Sequence, residues 1–132
     1  MPAARAPDAA MTGPEKLEVP VEPVARTVGD VNILDIGGRM TLGSRETEGM
    51  GEIIRDLLHD GRKKILLNLE KVTYIDSASL GVLVAHYKRA VERDALVKLL
   101  KPNQKTLSIL VMTKLNLVFE IFGDEATAVA SF

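Results

Sequence analysis

The chain has 132 residues, of which 46% are hydrophobic and 27% charged, a composition typical of one soluble globular domain. Its net charge of −1 excludes the basic excess that attracts nucleic acid or anionic membranes, so neither is expected as a partner. Cysteine is absent, which excludes disulfides, thiol catalysis and cysteine metal sites. Because His59 and His86 lie far apart with no further ligand at helical spacing, no metal and no cofactor are predicted.

The N-terminal segment differs in composition from the rest of the chain. It is rich in Ala, Pro and Glu, and five of the six prolines lie within residues 1–23. Such a segment buries too little apolar area to offset the entropy of ordering it, so residues 1–22 are predicted to be a disordered tail and residues 23–132 a single domain. No apolar run is long enough to span a bilayer, and the N-terminus lacks the apolar stretch of a signal peptide. A cytoplasmic location is therefore expected.

The predicted domain begins with a β-hairpin. Residues 24–28 and 31–36 are short runs rich in strand formers, and the two-residue loop Gly29–Asp30 suits a primed turn. The pair Gly37–Gly38 is expected either to end the second strand or to insert a bulge.

Helices and strands alternate from there on. A helix is predicted over residues 45–59, with Ser44 as its N-cap and apolar residues at the spacing of one buried face. The remaining predicted elements are, in chain order, strands over 64–69 and 72–75, a helix over 77–93, a strand over 96–100, a helix from about 103 to 112 and a last helix over 125–130. This alternation predicts an α/β fold, with a mixed and mostly parallel central sheet and about four helices.

The segment from Tyr74 to Gly81 carries the most chemical information. It joins a predicted strand to the second helix, so a hydroxyl there lies beside unpaired backbone N–H groups and the positive end of the helix dipole. These features would stabilise a phosphate on Ser77. However, Asp76 and Ser77 are both good N-cap residues, and many helices begin in this way without any modification. The local pattern therefore leaves capping and phosphorylation as alternatives.

The second helix has two different faces. Its predicted core face consists of Leu80, Leu83, Val84, Tyr87 and Val91. The opposite face carries Ala78, Val82, Ala85 and Arg89. A solvated face normally carries more charge near the start of a helix, so this small and mildly apolar face indicates a docking surface beside the hydroxyls.

Three segments carry a family resemblance. In KILLNLEKVTYIDSASLGVLVAHYKRA a strand leads into a D-S-x-x-L-G turn and a helix. The others are IGGRMTLGSRETE, a strand-to-helix region, and LVMTKLNLVFEIFGDEATAVASF, a helix, strand and final helix. Together they resemble the STAS-domain anti-anti-sigma factors of bacterial partner-switching systems, over about residues 24–132. The resemblance implies a STAS-like single domain.

The resemblance also implies a function. Ser77 would be phosphorylated by a partner kinase that is itself an anti-sigma factor. The unphosphorylated protein would bind this anti-sigma factor serine kinase and free the sigma factor, and phosphorylation would reverse this. A metal-dependent serine/threonine phosphatase would restore the hydroxyl. Asp76 would shape the kinase-facing turn, and the predicted partner-binding residues are Asp76, Ala78, Ser79, Val82, Ala85 and Arg89.

Three residues depart from the family pattern. Ser79 replaces a usual glycine, which places a second candidate acceptor in the turn. Thr41 stands where aspartate is common, which puts a partner contact there in doubt. Lys114 replaces the usual glycine before Leu115, so the third helix is expected to lack its left-handed cap.

Two other classes of function compete with this phosphorylation-controlled binding of a kinase. A hydrolase triad of Ser77, His86 and Asp76 is not expected, because His86 lies nine residues along the same helix and points away from the turn. The chain is therefore not expected to be an enzyme. The stronger rival is a non-catalytic STAS scaffold, or an accessory subunit of a signalling assembly or lipid transporter.

The third helix raises the question of self-association. Its apolar residues wrap too far round for one stripe: Leu107, Ile109, Leu110, Val111 and Met112. The favoured interpretation is that the sheet and the C-terminal segment cover them; otherwise they would serve self-association or a second partner. The sequence leaves monomer and weak dimer open.

Overall fold

A β-hairpin begins the folded part of the chain. The computed structural model describes residues 21–132, so the predicted tail lies outside the described residues except for Val21 and Glu22. Strand β1 (Val24–Val28) pairs antiparallel with β2 (Val31–Met40) across the predicted two-residue turn. Gly29, at the first position of this turn, has a φ of 62°, which glycine adopts without steric cost.

Strand β2 does not end at Gly37–Gly38. It continues to Met40, and its register with the next strand shifts on both sides of the glycine pair, so the predicted irregularity is confirmed while the predicted strand end is wrong. Gly38 has a φ of 77°, and a Cβ there would lie 2.7 Å from the Oε2 atom of the buried Glu46. A larger residue at this position would therefore be strained and would displace the Glu46 carboxylate, whereas glycine lets β2 stay paired on either side of it.

The sheet is mixed, as expected. Its strand order is β1-β2-β3-β4-β5, where β3 is Lys64–Ile75, β4 is Leu96–Leu100 and β5 is Ile121–Phe122. All pairs beyond the hairpin are parallel. The two strands predicted at 64–69 and 72–75 form one continuous strand, because β2 follows β3 through both register shifts.

Four helices cover the sheet. They are α1 (Arg45–His59), α2 (Ser77–Glu92), α3 (Gln104–Met112) and α4 (Glu125–Ala130), and a short 3-10 turn spans Leu115–Leu117. The main core lies between one sheet face and α1, α2 and α3, and a smaller core joins the other face to α4. None of the described helices has the length and hydropathy needed to cross a bilayer.

The buried stripe of α2 differs from the predicted one. It includes Ser79, Leu83, His86 and Ala90, whereas Val91 is 49% exposed, so its predicted place in the core is wrong. The reason is that α2 packs against α1 as well as the sheet, which turns the buried face toward residues that include a serine and a histidine. A pattern of apolar residues alone does not reveal such a stripe.

The end of α3 corrects a second prediction. Lys114 takes the left-handed conformation, with a φ of 63° and a ψ of 17°, so the left-handed residue after the helix is present although glycine is not. Leu110 is buried, but Val111 is 53% and Met112 81% exposed. The interpretation that the sheet and C-terminal segment cover all of this face is therefore wrong for these two residues.

Candidate functional site

The turn between β3 and α2 is held by Asp76. This residue is the N-cap of α2, and its Oδ1 atom accepts a hydrogen bond from the N–H of Ser79 at 2.7 Å. Its own N–H donates to the carbonyl of Met40, at the end of β2, at 3.0 Å. The turn is thus fixed both to the helix it starts and to the neighbouring strand.

The second carboxylate oxygen of Asp76 reaches the loop between β2 and α1. Its Oδ2 atom accepts a hydrogen bond from the N–H of Leu42 at 3.1 Å. The Ser79 N–H contributes most to holding the pKa of Asp76 below its ordinary value of 3.8, and the Ser79 hydroxyl and the Leu42 N–H add to it. The carboxylate is therefore charged at neutral pH, and it ties the two loops of the site together.

The two serines of the turn have opposite environments. Ser77, the first residue of α2, is exposed, whereas Ser79 is fully buried. The Ser79 hydroxyl forms a hydrogen bond with the Thr47 hydroxyl, with 3.0 Å between the oxygens. The Ser44 hydroxyl donates to Thr47 in turn, at 3.1 Å. Ser79 thus belongs to a chain of hydroxyls between α1 and α2 and is withdrawn from the surface.

The loop between β2 and α1 is stabilised by its own cap. The hydroxyl of Ser44 accepts hydrogen bonds from the N–H groups of Thr47 and Thr41, which confirms the predicted N-cap of α1. Leu42, at the tip of this loop, is 69% exposed beside the Asp76 carboxylate. No sequence pattern marks Leu42, because only the hydrogen bond across 34 residues shows that it borders the turn.

The structure places only some of the predicted partner-binding residues on one exposed surface. Ala78, Ala85 and Arg89 are exposed along one side of α2, and Val82 is half-buried against the core. Ser79 does not lie on this surface, since its side chain is enclosed between α1 and α2. The exposed surface beside Ser77 consists mainly of small side chains, which a closely packed partner could approach.

His86 lies in the contact between α2 and α1. Its Nε2 atom lies 2.7 Å from where a Cβ on Gly51 would be, and its buried Nδ1 atom has no hydrogen-bond partner among the described residues. Burial is the main cause that lowers the pKa of His86, and the nearby guanidiniums of Arg89 and Arg55 lower it further. The imidazole thus packs against α1 as a neutral side chain at neutral pH.

Comparison with known proteins supports one family. A family model for the STAS domain matches residues 22–128. A Thermotoga maritima protein provisionally named an anti-sigma factor antagonist is 34% identical over 76 residues, 58% of this chain and 67% of that protein. The anti-sigma-B factor antagonist of Staphylococcus aureus is 36% identical over 73 residues, 54% of this chain and 58% of that protein.

Solved structures share the fold. A crystal structure of a provisionally named anti-sigma factor antagonist from Thermotoga maritima superimposes with a TM-score of 0.75 at 28% identity, covering 83% of this chain and 92% of the other. The phosphorylated form of the Bacillus cell fate determinant SpoIIAA has the same fold, with a TM-score of 0.66 at 15% identity, covering 83% and 97%. With the family match over residues 22–128, these likenesses show that the chain belongs to the STAS-domain family of anti-sigma factor antagonists.

Proposed function

We propose that the protein is a non-catalytic cytoplasmic switch that is phosphorylated on Ser77. In its unphosphorylated form it binds an anti-sigma factor serine kinase and thereby frees a sigma factor. Phosphorylation releases the kinase, and a serine/threonine phosphatase resets the switch. The observation that supports this most strongly is the contrast between the two hydroxyls of the turn, since Ser77 is exposed and Ser79 is buried.

A phosphate on Ser77 suits the start of α2. Helical geometry leaves the N–H groups of Ser77 and Ala78 without an intrahelical acceptor, whereas the N–H of Ser79 already donates to Asp76. The helix dipole and these N–H groups favour the phosphate charge of about −1.5 to −2. The modification is therefore expected to leave the fold intact.

The same phosphate would oppose a bound partner. It adds charge and bulk beside the small exposed side chains of Ala78 and Ala85, and beside the charged carboxylate of Asp76. A partner packed on this surface would meet repulsion and the cost of desolvating the phosphate. A loss of about 3 kcal/mol, roughly a hundredfold in affinity, is enough to exchange one partner for another.

The test is phosphorylation by a defined kinase. The full chain is incubated with ATP and, in turn, with each anti-sigma factor kinase encoded in the same genome, and the modified residue is identified by mass spectrometry. We expect one phosphate on Ser77, none on the Ser77→Ala variant, and unchanged modification of Ser79→Ala. The kinase should bind Ser77→Asp far more weakly than the wild type. Modification confined to Ser79, or none with any kinase, would refute the proposal and favour a scaffold role.

A further inference from the structure

The C-terminal ends of α1 and α2 enclose a basic pocket. It is an open cavity of about 530 Å³ lined by Arg55, Asp56, Leu58, His59, Arg89 and Arg93. Three guanidiniums thus face a single carboxylate. The ammonium group of Lys63 donates a hydrogen bond to the carbonyl of Arg93, which brings a further positive charge near the pocket.

Fold stability accounts for this arrangement only in part. Arg89 and Arg93 are four residues apart, at the end of the same helix, and like charges at this spacing destabilise a helix by roughly 0.2–0.5 kcal/mol. Within residues 21–132, neither these two residues nor Arg55 form an ion pair. The helix dipole favours Arg89 and Arg93 at the end of α2, but it does not account for Arg55, which lies about one turn before the end of α1.

The pocket continues the proposed docking surface. Arg89 belongs to both, because it ends the stripe that runs along α2 from Ala78 and also lines the cavity. Arg89 lies twelve positions after Ser77, or about 18 Å along a helix. A protein interface of ordinary size, about 800 Å² per partner, spans such a distance.

We propose that this pocket binds an acidic segment of the partner protein that docks on α2. The inference rests on the proposed function, which makes that partner the anti-sigma factor kinase. Guanidiniums pair with carboxylates through two parallel hydrogen bonds, and an extended acidic segment can reach the arginines of both helices. Guanidiniums bind phosphate as well, but here the helices contribute the carbonyl groups of their C-termini and not the N–H groups that phosphate sites at helix N-termini use, which favours the acidic segment.

The position of the pocket determines its effect on binding. It lies about 18 Å from Ser77, beyond the Debye length of about 8 Å at physiological salt. The phosphate on Ser77 therefore hardly weakens the attraction between the pocket and an acidic segment. Exposed charges at the edge of an interface act mainly on the rate of association. The pocket therefore speeds the encounter with the kinase, and Ser77 decides whether the complex persists.

The first part of the test uses a defined acidic chain without the kinase. A decaglutamate peptide is titrated into the ¹⁵N-labelled full chain in low salt, and the backbone and arginine side-chain signals are followed by NMR. We expect saturable shifts at Arg55, Arg89 and Arg93, which added NaCl abolishes and which the Arg55→Gln/Arg93→Gln variant lacks. Absence of shifts, or equal shifts at Lys71 and Lys105, which are exposed and lie outside the pocket lining, would overturn the proposal.

The second part measures association with the kinase that phosphorylates Ser77. The association rate of Arg55→Gln/Arg93→Gln should fall about tenfold at low salt and approach the wild-type rate as salt rises. Lys71→Gln/Lys105→Gln, which removes the same charge at other exposed sites, should change it less than about twofold. Equal association rates for the two double variants would overturn the proposal. Tight binding of inorganic triphosphate to the pocket would also overturn it if Arg55→Gln/Arg93→Gln associated with the kinase at the wild-type rate. If no kinase modifies Ser77, the proposed function fails, whereas the peptide titration still decides whether the pocket takes an acidic chain.

Discussion

Removing each serine hydroxyl of the turn in separate variants tests the site directly. Ser79 is fully buried, and its Oγ atom lies 3.0 Å from the Oγ1 atom of Thr47. In Ser79→Ala, the buried Thr47 still accepts a hydrogen bond from Ser44 but loses its partner at Ser79. The substitution removes this hydrogen bond, about 0.5–1.5 kcal/mol, and the support that the Ser79 hydroxyl gives to the Asp76 carboxylate, while the higher helix propensity of alanine offsets a few tenths of the loss. We therefore expect the free energy of unfolding to fall by about 1–2 kcal/mol.

The matched variant is Ser77→Ala. The Ser77 hydroxyl is exposed at the first helical position, so removing it should change the free energy of unfolding by less than about 0.5 kcal/mol. Urea unfolding followed by circular dichroism measures both variants, and mass spectrometry after kinase treatment measures phosphorylation. Ser79→Ala should lose stability and keep the modification, and Ser77→Ala should do the opposite. A destabilised Ser77→Ala together with an unaffected Ser79→Ala would show that the burial of the two serines has been assigned the wrong way round.

Three further substitutions probe the elements around the site. Gly51→Ala places a Cβ 2.7 Å from Nε2 of His86, so it should lower the free energy of unfolding by about 1–3 kcal/mol despite the better helix propensity of alanine. In a double-mutant cycle measured by urea unfolding, adding His86→Ala should recover part of this loss. Purely additive effects of the two substitutions would contradict the contact. Lys114→Gly relieves a left-handed lysine and should stabilise the protein by about 0.5–1 kcal/mol, seen as a higher thermal midpoint. Hydrogen bonds lower the folded-state pKa of Asp76 below 3.8, so its stabilisation is present above the unfolded pKa and is lost as pH falls through the folded value. Thermal unfolding from pH 6 to about pH 2.5 should therefore show the wild type losing more stability than Asp76→Asn, and parallel profiles would refute this.

Most elements of the fold could be predicted because they depend on neighbours in the chain. The N-caps Ser44 and Asp76 each accept a hydrogen bond from an N–H group three residues on, and such spacing is visible in the sequence. The apolar run of β3, buried on both faces, likewise indicated a central strand. The strand ends that were predicted wrongly depend on contacts between residues distant in the chain. Gly37–Gly38 continues β2 only because β3 lies beside it and shifts its register.

The candidate site shows the same division. The sequence alone determined that a helix begins after Asp76 with a hydroxyl in its first turn, because capping is a local preference. It could not determine which hydroxyl a kinase could reach. That depends on Thr47, 32 residues away, which buries Ser79 between α1 and α2 and leaves Ser77 in solvent. Likewise, only the packing of α1 against α2 sets Arg55 beside Arg89 and Arg93, since side chains on separate helices meet through tertiary structure alone.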